Sequence, residues 1–181
     1  MLGILNNNMQ QQIDWEYMKT SAETIYTFWP TIIADLNKLN VKNEEILNFS
    51  SNLDKVTLSI KNEDKVVALN NLASLYAFLP NYRSQFSTDL QSINIDYAKN
   101  CILNSYALVE QANWIEVKEQ VVNALNYYMV VMDEVNENVQ NQNRISKAYI
   151  LLNELNSSTD IQDKELYYIK YRNVMEELVN I

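Results

Sequence analysis

The chain of 181 residues contains no histidine, one glycine, one cysteine and two prolines. Each shortage removes a class of chemistry. Without histidine there is no imidazole base and no imidazole metal ligand, so serine and cysteine triads of the usual kind are absent. Glu-x-x-His di-iron pairs are absent too. One cysteine builds neither a disulfide framework nor a cysteine-based zinc site. One glycine cannot supply a dinucleotide fingerprint or a phosphate loop, both of which need repeated close backbone approach. The same shortage, with two prolines, argues against a sheet of many hairpins, because tight turns draw on Gly, Pro and Asn.

Other exclusions come from charge and hydropathy. The formal net charge is −9, from 23 acidic and 14 basic residues spread along the chain. Phosphate backbones and anionic lipid repel such a chain, and no local basic stripe offsets this, so no nucleic-acid partner is expected. No apolar run approaches the ~20 residues that span a bilayer, so no integral membrane segment is expected. The start lacks the basic and long apolar parts of a signal peptide. It carries instead a polar tract, Asn6-Asn7-Asn8 and Gln10-Gln11-Gln12, read as a tail over 1–12.

What remains is 48% hydrophobic residues arranged at helical spacing. Seven helices are predicted. The first runs from a cap at Asp14 to about Asn37 through Trp15, Met18, Ala22, Ile25, Trp29, Ile32 and Leu36, with Pro30 kinking it. The second starts at Asn43 and carries Ile46, Phe49, Leu53, Val56 and Ile60. The third opens at Asp64 and passes Pro80, a second kink, to about Phe86. A polar turn over 87–92 precedes the fourth, about 93–112, whose Ala98, Cys101, Ile102, Ser105, Leu108 and Ala112 form a small-residue face. Asn113 and Glu116 read as a capping box for the fifth, which runs to about Val139. Gln140–Asn143 reads as a turn. The sixth spans about Gln142–Asn156, residues 156–159 read as another turn, and Asp160 caps the seventh.

Helices one to three align without a gap on helices five to seven. Trp15 and Asp64 recur as Trp114 and Asp163, both separated by 99 residues. The same shift pairs Asp14 with Asn113, Trp29 with Tyr128, Ile46 with Ile145, Leu53 with Leu152, Val56 with Leu155 and Leu75 with Val174. The fold expected is therefore all-α: one helical domain over 13–181, with an internal repeat, 14–80 and 113–180, flanking a central helix.

The motifs Asp14-Trp15, Trp29-Pro30, Leu79-Pro80-Asn81-Tyr82, Leu103-Asn104-Ser105-Tyr106 and Asn113-Trp114 resemble an uncharacterised family of all-helical, lipoprotein-like proteins from low-GC Gram-positive bacteria. In that family a lipid-attachment cysteine and an Asn/Gln-rich linker precede the helical domain. The resemblance covers about Asp14 to the C-terminus and implies an extracytoplasmic, membrane-anchored protein. No cysteine precedes the polar tract here, and Cys101, in mid-helix, cannot serve as the anchor. The family brings no established activity.

No catalytic, cofactor-binding or metal-binding residue is assigned. Trp15, Trp29 and Trp114, with Tyr26, Tyr76, Tyr82 and Tyr106, read as core, with an aromatic ligand pocket as the alternative. Glu44-Glu45, Asp133-Glu134 and Glu176-Glu177 read as solvated faces, because neighbours on a helix point about 100° apart. Cys101 reads as a packing residue. The expected function is a non-enzymatic, extracytoplasmic interaction or scaffold module with a protein partner and no cofactor. The alternative is a bundle holding a small ligand among its aromatics.

Overall fold

A computed structural model describes residues 13–133 and 139–181. Among these, eight α-helices and no strands are found: α1 Trp15–Lys38, α2 Asn43–Lys61, α3 Lys65–Tyr76, α4 Phe78–Phe86, α5 Leu90–Glu110, α6 Trp114–Asp133, α7 Val139–Ile161 and α8 Lys164–Val179. The protein is all-α. Its chain divides into two compact units, 1–75 and 76–181.

In the first unit, α1 packs on α2 through Met18, Ala22 and Trp29. Asp14 starts α1 by accepting the Tyr17 N–H at 2.9 Å. Pro30 lies inside α1 and the helix continues past it. On α2, Ile46, Phe49, Leu53, Val56 and Ile60 are buried, and the Trp29 and Phe49 rings lie 4.2 Å apart. The Asn71 side chain ties α3 to α2, donating to the Lys55 carbonyl at 3.1 Å.

In the second unit the helix contacts close a ring. α5 packs on α6, α6 on α7, α7 on α8, and α8 back on α5, while α4 leans on α5. The result is a four-helix bundle with one short helix outside it. Ala98, Ile102, Ser105 and Val109 of α5 are all 0% exposed and Cys101 is buried, whereas Leu108 is half-buried and Ala112 is exposed past the helix end. The expected small-residue face therefore lies in this core only as far as Ser105.

The third predicted segment is broken at Ala77. A proline four residues on collides with the Tyr76 carbonyl and brings no N–H, whereas in the first turn of a new helix neither matters. Pro80 takes that place in α4. Pro30 has no such break beside it.

Four expected boundaries are corrected. Residues 156–159 are not a turn: α7 runs through them to Ile161. The hydroxyls of Ser157, Ser158 and Thr159 donate to the Asn153, Leu155 and Asn156 carbonyls, so these turn-prone residues are satisfied within the helix. The cap of α8 is therefore Asp163, which accepts the Leu166 N–H at 2.9 Å, and not Asp160. Residues 140–143 are helical as part of α7. Asn43 does not cap α2 but is its first residue, after Lys42. The α6–α7 connection over 134–138, where helix five was expected to end, lies outside the described residues.

Local features recur at the 99-residue offset. Ser59 and Ser158, both buried, donate to the Val56 and Leu155 carbonyls at 2.9 and 2.7 Å. Asp64 and Asp163 both cap a helix. Lys19 and Lys118 correspond and both form ion pairs, but their partners do not: Lys19 meets Glu63 and Lys118 meets Asp160, whereas Glu63 corresponds to Gln162. Tyr128 donates to the Ile145 carbonyl at 3.1 Å, while Trp29 reaches the equivalent Ile46 carbonyl through Ser50 Oγ, with steps of 2.8 and 2.9 Å.

The shortage of glycine shows at the helix ends. Asn40, Glu63, Ala112 and Gln162 take φ of 59°, 56°, 56° and 58°, the left-handed region that glycine usually fills just past a helix C-terminus. For an alanine this conformation costs about 1 kcal/mol. Ala112→Gly should therefore raise the thermal midpoint by about 2–4 °C, read by circular dichroism.

Candidate functional site

The densest gathering of aromatic and polar groups lies between α5 and α8. The Tyr106 ring sits 4.6 Å from that of Tyr171 and 5.2 Å from that of Tyr168. Tyr167 meets Trp114 edge-on at 6.0 Å. Burial pushes all four phenols well above the usual tyrosine value; for Tyr168 the hydrogen bond to Glu110 adds to this. They are neutral phenols, placed to donate and not to act as bases.

Two of these hydroxyls have defined internal partners. Tyr168 donates to Glu110 Oε1 at 2.7 Å. Tyr167 OH lies 2.5 Å from Ser105 Oγ, which also lies 2.7 Å from the Ile102 carbonyl. Because that carbonyl only accepts, Ser105 donates to it and Tyr167 donates to Ser105. Removing either partner therefore has unequal effects. Tyr167→Phe leaves Ser105 still donating to Ile102 and should cost about 1 kcal/mol. Ser105→Ala strands a phenol that is 0% exposed and should cost about 1–3 kcal/mol. Urea unfolding of the two variants checks the order.

The aromatics singled out in the sequence do not gather in one place. Trp29 is buried in the first unit, Trp15 and Trp114 are half-buried, and Tyr26 is 53% exposed. Tyr76 and Tyr82 are half-buried, and burial pushes the Tyr76 phenol up to about 12. Only Tyr106 and Trp114 join the cluster just described.

An open groove of about 460 Å³ lies elsewhere, along α7 and α8. Ile150, Ile161 and Leu166 line it, and the Glu154–Lys170 ion pair stands at its edge at 2.6 Å. It is apolar and shallow, with few convergent polar groups, unlike the enclosed clefts that orient small ligands.

The adjacent carboxylates face different surroundings. Glu44 is exposed and Glu45 half-buried in the first turn of α2. Glu176 is exposed, whereas Glu177 is 9% exposed and pairs with Lys147 at 2.5 Å. Asp133 is exposed, and Glu134 lies outside the described residues. Among the described residues no three acidic or thiol side chains come together as a metal site would require. Cys101 is buried, and burial pushes its thiol up to about 11, the reverse of an activated nucleophile.

One buried charge went unread in the sequence. Asp96 of α5 is 8% exposed and accepts from Arg83 Nε at 2.9 Å, with Lys99 Nζ 4.0 Å away. Nearby, Tyr97 donates to Asn81 at 3.0 Å. Together these contacts fasten α4 to α5. The available signal was a carboxylate within the apolar stripe of α5.

An apolar face of α1, extended by Leu39 just past the helix end, is exposed. Ile25, Phe28, Ile32 and Leu39 are 43%, 60%, 42% and 54% exposed. Comparison with known families, with curated proteins and with solved structures finds no match for this chain.

Proposed function

We propose that the protein is a non-enzymatic helical interaction module, built from two diverged copies of a three-helix unit. The observation that carries the reading is the apolar stripe on α1: Ile25, Phe28 and Ile32 line an exposed face, while in the aromatic cluster the Tyr167 and Tyr168 hydroxyls are taken up by internal partners. Exposed apolar patches of this kind mark association surfaces more often than scattered single residues do. The matched caps and buried serines at the 99-residue offset support duplication as its origin. The resemblance to lipoprotein-like helical proteins supports an extracytoplasmic setting, with a lipid anchor holding the module at the membrane surface.

The test is a photo-crosslinking residue at position 28, compared with one at Glu23 on the same helix, in cells that make the protein. Protein adducts at 28 and not at 23 are expected. A small molecule bound at one equivalent in native mass spectra, with no adduct at 28, would overturn the reading in favour of ligand binding in the α7–α8 groove.

A further inference from the structure

Resting on that interaction reading, we infer that the exposed face of α1 is the seat for a single amphipathic helix of a partner protein, of the kind that α5 supplies within the second unit. The 99-residue correspondence pairs α1 with α6. Ile25 and Ile32, 43% and 42% exposed, correspond to Ala124 and Val131, both 0% exposed. What differs is the neighbour. In the second unit α5 lies on α6 and closes the ring, whereas the first unit has α1, α2 and α3 but no described helix in the equivalent of the α5 place.

Spacing also specifies a helix. Ile25, Phe28 and Ile32 follow steps of three and four, as does Ser21 before them, and Leu39 falls two such steps beyond Ile32. That is the seam one helix offers another. A strand would need alternation with period two.

The shape of the seat describes its occupant. On α5 the core-facing positions are Ala98, Ile102, Ser105 and Val109, while Tyr97 stacks on Tyr127 of α6 at 4.9 Å and 16°. Phe28 corresponds to Tyr127, so it offers a ring for a partner aromatic to stack on. Ile25 is bulkier than its counterpart Ala124, so the partner helix carries a small residue, Ala, Ser or Gly, opposite it. With a chain charge of −9, lysine or arginine on the flanks of the partner helix speeds and favours the encounter. The chain's own residues 1–12 match this description poorly in sequence: at the α5 offset, Asn6 and Gln10 fall where α5 has Ser105 and Val109.

The probe is a synthetic peptide of residues 90–110 with Cys101→Ser, added to the full chain and followed by isothermal calorimetry. Saturable binding at one equivalent is expected, weakened at least tenfold by Phe28→Asp with Ile32→Asp and absent for a scrambled peptide. Both substitutions fall on exposed positions, and an unchanged circular dichroism melt confirms that the variant is folded. No saturable binding overturns the inference. So does binding indifferent to the two substitutions, which would mean that the peptide invades the second unit. Binding that appears only after residues 1–12 are deleted assigns the face to the chain's own start, and a concentration-dependent dimer lost in the double variant assigns it to a second copy; either overturns it. If the peptide fails while position 28 still crosslinks to a protein, the helical occupant falls and the interaction reading stands. If both fail, both fall.

Discussion

Ala124→Asp should unfold the second unit, while Ile25→Asp, at the corresponding place in the first, should change stability by no more than about 0.5 kcal/mol. Ala124 is 0% exposed on α6, the helix against which α5 packs. A carboxylate there loses its water and gains no partner, and the larger side chain also forces the helices apart. An uncompensated buried charge costs about 3–5 kcal/mol, a large share of the 5–15 kcal/mol that holds an ordinary domain together. Ile25 is 43% exposed, so an aspartate in its place stays hydrated. Urea unfolding followed by circular dichroism measures both. Equal tolerance at the two positions would mean that α5 does not cover α6.

Alkaline solution should unfold the same unit steeply. Tyr106, Tyr128, Tyr167 and Tyr171 are buried, and burial holds each phenol above its usual value near 10. Below that pH both folded and unfolded chains keep these protons, and the stability is fully present. As pH rises above it, the unfolded chain releases protons that the folded chain retains, so stability falls. Each such phenol removes about 1.4 kcal/mol per pH unit, and four together remove roughly 5. The expected result is that phenolate absorbance from these residues rises abruptly, together with loss of helical signal. A gradual rise with the helix intact would show that the four phenols are open to solvent. Tyr167→Phe should reduce the slope by one phenol's share.

The helices and their inward faces were legible because an apolar stripe at three- and four-residue steps has few other readings. Leu53, Val56, Leu152 and Leu155 were placed inward by spacing alone and are all buried. The breaks were less legible. Pro80 permits either a kink or a restart, and the choice depends on packing around Tyr76 and Phe78. Ser157, Ser158 and Thr159 have the composition of a turn, but each hydroxyl finds a carbonyl one turn back. The candidate surface was legible in part. The stripe containing Ile25 and Ile32 was visible, but a stripe says only that a face is apolar. Whether another helix of the same chain lies on it is a long-range fact that local pattern does not encode. The tyrosine cluster was hidden for the same reason: Ser105 and Tyr167 are far apart in sequence and meet only when α8 closes the ring.

The single cysteine gives the protein a native reporter of its own motion. Cys101 is enclosed in α5, with its thiol raised to about 11 by burial. Alkylating reagents attack the thiolate, so labelling at neutral pH must await a fluctuation that both wets the sulfur and relieves its protonation. When reclosing outpaces the reagent, the labelling rate then measures how often α5 lifts from its neighbours. No engineered thiol is needed, and no second sulfhydryl competes. A binding partner, once in hand, could thus be scored by whether docking on one unit slows the chemical clock in the other.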